Sequence, residues 1–192
     1  MPKRADAKKV YLDALNNLLD NYTYKEIYVN MIADNASFTR KTFYDKFSGK
    51  DDLIKYAVEC AYDDAKNMSK NGFVNQNDFI KCICANPLFK KMLKDDESKY
   101  KLYIIMQSVL EEKIKSSVDA DNHPELNSLS TITSFASTGA VMYVLSGYNE
   151  EDNTAISRFF ARLNDYWSYL YKNINKNWYN RSKFYEFFYS YS

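Results

Sequence analysis

The chain is poor in turn formers, with four glycines and three prolines among 192 residues. A sheet-rich fold needs tight turns, and these two residues supply the backbone angles such turns demand, so their scarcity argues for helices. Histidine occurs once, as His123, with no cysteine, serine or carboxylate spaced to build a nucleophile or a ligand cage beside it. No glycine-rich phosphate loop is present either. An enzyme is therefore not expected, nor is a metal or a cofactor. The three cysteines, Cys60, Cys82 and Cys84, form neither an even disulfide framework nor a C-x-x-C pair, which fits a reducing cytoplasm. The opening "MPKRADAKKV" lacks the apolar stretch of a secretory signal. No apolar run approaches the roughly 20 residues of a bilayer span, so no membrane role is expected.

What is present is apolar residues, at 46%, enough for a proper core, and aromatics, at 17%, pointing to a bulky core or to a cavity walled by rings. The formal net charge is only +1, but it is unevenly spread. Residues 1–50 hold nine Lys or Arg against six Asp or Glu, and the other 142 hold seventeen against nineteen. That asymmetry places an anionic partner at the N-terminal end.

Apolar spacing predicts an all-α chain of nine to ten helices. A first helix over 5–21 carries Val10, Leu15 and Leu18. Short helices follow at 28–35 and 39–47, with Thr39 as N-cap of the second, then a long one from Lys50 to Met68. Further helices are expected at 78–85, from Pro87, over 97–117, 126–147 and 154–174, before an aromatic tail from Trp178 to Tyr191 that packs on the subunit body. Lengths of about 17, 8 and 9 residues, with a three-residue turn between the second and third, are the proportions of a helix-turn-helix unit. In 39–47, Phe43 and Phe47 share one face at i, i+4 and can dock on Ile32, Leu15 and Leu18, which turns Lys41 and Tyr44 outward. Periodicity alone fits a solvated amphipathic helix equally well.

The residue string goes further. "EIYVNMIADNASFTRKTFYDKFSGKDDLI", residues 26–54, resembles the DNA-binding domain of the TetR family of bacterial transcriptional regulators. The match runs in register through Ile27, Val29, Ile32, Ala33, Ala36, Thr42, Phe43, Tyr44, Phe47, Lys50 and Leu53, with Thr39 in the family's serine place. The family's turn glycine is here Ser37, the following valine is Phe38, the capping threonine of the second helix is Tyr28, and the histidine before the last phenylalanine is Lys46. The resemblance implies a DNA-binding domain over 1–49 and a helical regulatory and dimerisation domain over 50–192. It implies a cytoplasmic homodimer, generally a repressor, on a palindromic double-stranded DNA operator. Thr39, Arg40, Lys41 and Thr42 are then the base-reading end, and Tyr44, Lys46 and Lys50 grip the backbone beside a basic arm of Lys3, Arg4, Lys8 and Lys9.

The resemblance also implies a dimer interface from the last two major helices. The first offers Phe135, Gly139, Met142 and Tyr143; the second offers Phe159, Leu163, Trp167 and Leu170. A small, largely apolar effector is expected among the central helices, near Tyr62, Phe79, Ile83, Phe89, Tyr100, Tyr103, Ile104 and Gln107. The alternative is a solid centre in a DNA-binding dimer that uses its C-terminal half for dimerisation or for a protein partner. The tail's two basic residues, Arg181 and Lys183, are too few for firm membrane anchoring.

Overall fold

The computed structural model describes residues 6–69, 74–117 and 124–147, and, within 154–165, all but 157, 160 and 164. Regular structure among the described residues is entirely helical. Helix α1 (Ala7–Leu18) starts where Asp6 accepts from the Lys8 amide at 3.1 Å. Helices α2 (Val29–Asn35) and α3 (Arg40–Tyr44) form the short pair. Helix α4 (Lys50–Met68) opens on Asp51 and Asp52, whose charge suits a helix N-terminus. Then come α5 (Gln76–Ala85), α6 (Pro87–Lys91), the 3-10 turn η1 (Met92–Lys94), α7 (Asp96–Ser117) and α8 (Pro124–Leu145).

Most boundaries follow the sequence reading, and the differences have local causes. Helix α5 begins two residues before Asp78 because the Asn75 side chain caps it, accepting from Asn77 N at 2.9 Å. Asn86 repeats that device for α6, with Pro87 in the first turn where no amide is needed. Helix α8 takes in Pro124, expected in a loop, for the same reason. Helix α3 is only five residues long, and beyond it Lys46 N and Phe47 N both donate to Phe43 O at 2.9 Å in a closing turn. Residues 154–156, 158–159, 161–163 and 165 are helical, as expected there. Trp167, Leu170, the aromatic tail, His123, Lys3 and Arg4 lie outside the described residues.

Helix α4 is the central element: it packs on α1, α5 and α7, while α8 lies along α7. One apolar core runs from Tyr11, Leu15 and Phe43 through Leu53 and Ile54 to Phe89, Met106 and Leu110. The expectation that no segment could span a bilayer needs correction. Leu126–Leu145 is long and apolar enough by length and composition, although 44% of that window is buried within the fold. Here it serves as a core helix against α7.

The turn between α2 and α3 shows how the chain does without the resembled family's glycine. Ser37 sits at φ +56°, in the left-handed region that disfavours side chains. Phe38 N donates to Ala33 O at 2.9 Å and Ser37 N to Asp34 O at 3.0 Å. These are the two bonds of a Schellman ending, and they hold Ser37 in place. Ser37→Gly relieves the strain, and this outweighs the extra freedom it gives the unfolded chain, so it is expected to stabilise the protein by about 0.5–1 kcal/mol, read from the urea midpoint at unchanged slope.

Candidate nucleic-acid interface

Helix α3 is oriented by rings. Phe43 is fully buried and Phe47 is 5% exposed. Both meet Tyr11 of α1, at centroid distances of 5.1 and 6.3 Å in edge-on arrangements, and each other at 5.5 Å. Phe38 covers Tyr11 from the turn at 5.3 Å, and Tyr56 of α4 closes the cluster on Phe47 at 5.9 Å. Edge-to-face pairs add to the area they bury, so this is the strongest local constraint on the short helix. The sequence reading missed Tyr11 and Tyr56 as the partners and named Leu15, Leu18 and Ile32. Tyr11 lies on the same helical stripe as Ala14 and Leu15, which is the signal that could have found it.

With the rings inward, the opposite face carries the candidate contacts. Arg40, Lys41, Tyr44 and Lys46 are all exposed. No carboxylate pairs with Arg40, Lys41 or Lys46 among the described residues, whereas Lys25, Lys81, Lys91, Lys101, Lys113 and Lys115 each hold one and Lys55 holds two. Arg40 lies 6.0 Å from the Tyr44 ring. Thr39 is the N-cap: its hydroxyl accepts from Thr42 N at 3.2 Å and lies 3.0 Å from the Thr42 hydroxyl. The two threonines therefore shape the turn, and Arg40 and Lys41 are its free donors. Lys8 sits 4.9 Å from the Tyr56 ring and 5.7 Å from Phe47, so this part of the expected basic arm lies beside the ring cluster.

Lys50 differs from expectation. Its ammonium donates to Tyr24 O at 2.6 Å and Ile27 O at 2.8 Å, with Lys25 O at 3.5 Å, and lies 4.4 Å from the Tyr24 ring. Burial pushes its pKa down, with Asp51 and Glu97 acting against that. Its donors are spent on the loop between α1 and α2, where they hold three carbonyls that no helix satisfies. Beside it Tyr24 donates to Asp51 at 2.6 Å, and Lys101 of α7 reaches the other Asp51 oxygen at 3.0 Å. Burial alone would raise the Asp51 pKa; the bonds from Tyr24 and Lys101 outweigh it and hold the carboxyl below its usual value.

The C-terminal half divides the remaining expectations. Tyr62, Phe79, Ile83 and Phe89 are buried, with the Tyr62 and Phe79 rings 6.1 Å apart. Tyr103 and Gln107 are half-buried, while Tyr100 and Ile104, one turn apart, face solvent and do not join that centre. On α8, Phe135 and Gly139 lie outward, joined by Ile132, which is 65% exposed and was not anticipated. A Cβ added at Gly139 would meet nothing within 4 Å. Tyr143 is half-buried, and Met142, expected at an interface, is buried within the chain's own fold, a little over a quarter-turn round the helix from Tyr143. Phe159 is half exposed and Leu163 packs against the core.

The middle of helix α8 is inverted in polarity. Over residues 130–138 the buried positions are Ser130, Thr133, Ser134, Ser137 and Thr138 and the exposed ones Ile132 and Phe135, whereas Leu126, Val141, Met142 and Leu145 bury apolar side chains at its two ends. Ser130 donates to Leu126 O and Ser134 to Thr131 O, each at 2.7 Å, while Gln107 reaches Ser134 at 3.3 Å. The oxygens of Thr133, Ser137 and Thr138 are buried without a hydrogen-bond partner among the described residues.

No family model matches the chain, and no curated protein matches it in sequence. Among solved structures it is similar to the TetR family repressor AlkX from Dietzia sp. strain DQ12-45-1b, implicated in biodegradation of n-alkanes. That likeness has 14% identity and a TM-score of 0.45, covering 85% of this chain and 96% of the other. It is also similar to the dihydroxyacetone kinase operon activator DhaS, at 16% identity and a TM-score of 0.48, covering 86% and 96%. Identities this low leave each functional residue to rest on its own geometry.

An unpartnered buried hydroxyl costs about 1–3 kcal/mol, so Thr138→Val is expected to raise stability by about 1–2 kcal/mol in urea unfolding.

Proposed function

We propose that this chain is a DNA-binding transcriptional regulator of the TetR type, acting as a homodimer on a palindromic operator. The observation that carries the reading is the segment 39–47, whose rings Phe43 and Phe47 are locked inward while Arg40, Lys41 and Lys46 stand exposed without acidic partners among the described residues. In this reading residues 1–49 form the DNA-binding unit and 50–192 the regulatory and dimerisation unit. Arg40 and Lys41 reach base edges, and Tyr44 and Lys46 hold phosphates. Thr39 and Thr42 shape the turn that presents them, and Lys50 positions the loop behind it.

A single module of this charge neutralises few phosphates, so a dimer is needed for useful affinity. The proposed interface is the outer stripe of α8, Ile132, Phe135 and Gly139, with Tyr143 at its edge. Large apolar side chains beside a bare glycine suit close helix-helix approach. Phe159 extends that surface in this proposal, and Leu163, Trp167 and Leu170 remain the further residues the resemblance assigns to the interface. Two-fold docking sets the half-sites about one helical turn, roughly 34–36 Å, apart.

Repression and release by a small, largely apolar effector complete the proposal. Tyr62, Phe79, Ile83, Phe89, Tyr103 and Gln107 are its candidate neighbours, with the unpartnered hydroxyls of α8 as polar handles. The second reading, a dimeric DNA-binding protein with no effector, is favoured by the full burial of Phe79, Ile83, Phe89 and Met106.

Selection of duplexes from a random pool tests the reading. On the selected duplex, Arg40→Ala and Lys41→Ala are each expected to lose about 1–3 kcal/mol with helicity unchanged; full-strength binding by both contradicts the assignment. Phe135→Glu is expected to give monomers by light scattering at unchanged helicity, and an intact dimer places the interface elsewhere.

A further inference from the structure

The last turn of α1 contains no basic residue to answer its exposed carbonyls. The cations come from 75 residues downstream. Lys91 of α6 donates to Asn16 O at 2.8 Å and pairs with the Asp20 carboxylate at 2.7 Å. Lys94 of η1 donates to Leu19 O at 2.7 Å, with Asp20 O at 3.5 Å. Charged donors on the carbonyl end of a helix match its dipole and make short, directional bonds.

The other face of the same segment belongs to the regulatory half. Leu88, Phe89 and Met92 are fully buried, and the segment packs on α5 and α7. Residues 87–94 are therefore a strut, apolar on the side of the regulatory core and cationic on the side of α1. Helix α1 in turn carries Tyr11, the ring on which Phe43 and Phe47 rest.

We infer that Lys91 and Lys94 are positioning residues for DNA recognition: they pin the C-terminal end of α1 to the regulatory core and so set the pose in which α3 is presented. The inference rests on the DNA-binding reading above. A shift of α5 or α7 moves the strut, and the two lysines carry that shift to α1 rather than letting it slip. Neither lysine touches DNA in this account, which separates it from a role in phosphate binding.

The test uses the full chain with Lys91→Met/Lys94→Met, the milder single Lys94→Met should the double variant fail to fold, and the Arg/Arg pair as the conservative control. Affinity is measured by fluorescence anisotropy on the duplex selected by the unaltered chain and on a random-sequence duplex, across salt concentrations. The expected result is a fall of about tenfold in the ratio of specific to random binding, an unchanged salt slope, and partial recovery with Arg/Arg. A merely stabilising role lowers the melting temperature and leaves that ratio alone, which overturns the inference. A shallower salt slope with equal losses on both duplexes makes the lysines phosphate contacts and also overturns it. Amide exchange without DNA gives an independent reading. The Leu19 and Tyr22 amides, bonded to Leu15 and Leu18 carbonyls, are expected to exchange faster in the Met variants. Unchanged exchange removes the clamp. If the unaltered chain selects no DNA sequence, the DNA reading falls and the positioning role with it, while exchange still reports on the clamp.

Discussion

The packing of Phe43 and Phe47 on Tyr11 is the contact on which the rest depends. Helix α3 has five residues, far too few to be stable alone in water. It exists because its rings are held edge-on by a neighbour and its N-terminus is closed by Thr39. Once those rings are fixed, helical geometry leaves no freedom over where Arg40, Lys41 and Tyr44 point. The exposed cations are thus a consequence of the apolar packing, not a separate feature.

The same constraint extends backward. Tyr11 is only as well placed as α1, and α1 is held at its carbonyl end by lysines from α6 and η1 and beyond it by Lys50 and the Tyr24–Asp51–Lys101 chain. The stretch from Asn16 to Ile27 is gripped both through backbone carbonyls, which take the ammonium groups of Lys50, Lys91 and Lys94, and through its own side chains, with Tyr24 on Asp51, Asp20 on Lys91, and Leu19 and Ile27 in the core. Helix α8 makes the opposite compromise. Over its middle turns it buries hydroxyls and shows Ile132 and Phe135 outward, an arrangement that is costly in a lone chain and reasonable if a second copy covers the outer face.

Much of this was legible in the sequence. The i, i+4 phenylalanines, the Thr39 cap and the aspartates opening α4 are local signals, and local signals survive in one dimension. Ser37 was readable as a problem for the turn; that it adopts positive φ rather than moving the turn elsewhere needed the structure, because Phe38 and Ala33 decide it together. What sequence could not give were long-range partners. Tyr11 meets Phe43 across 32 positions and Lys91 meets Asn16 across 75. Lys50 shows the limit most clearly: a basic residue in a matching register reads as a phosphate contact until three carbonyls are found around it. Tyr100 and Ile104 failed for a related reason, since apolar side chains one turn apart mark a face without saying which way it looks. On α8 the hydroxyl face had no reading at all, because polar residues on a helix are ordinarily assigned to solvent.

The central claim is that α3 turns its cations toward a duplex, and differential amine labelling tests it most directly. The full chain is acetylated with and without its selected duplex, and each lysine is quantified by mass spectrometry. The account predicts that Lys41 and Lys46 are reactive alone and protected by DNA, that Lys99 on α7 is labelled equally in both, and that Lys50 is slow throughout. Equal labelling of Lys41 and Lys46 with and without bound DNA would contradict it.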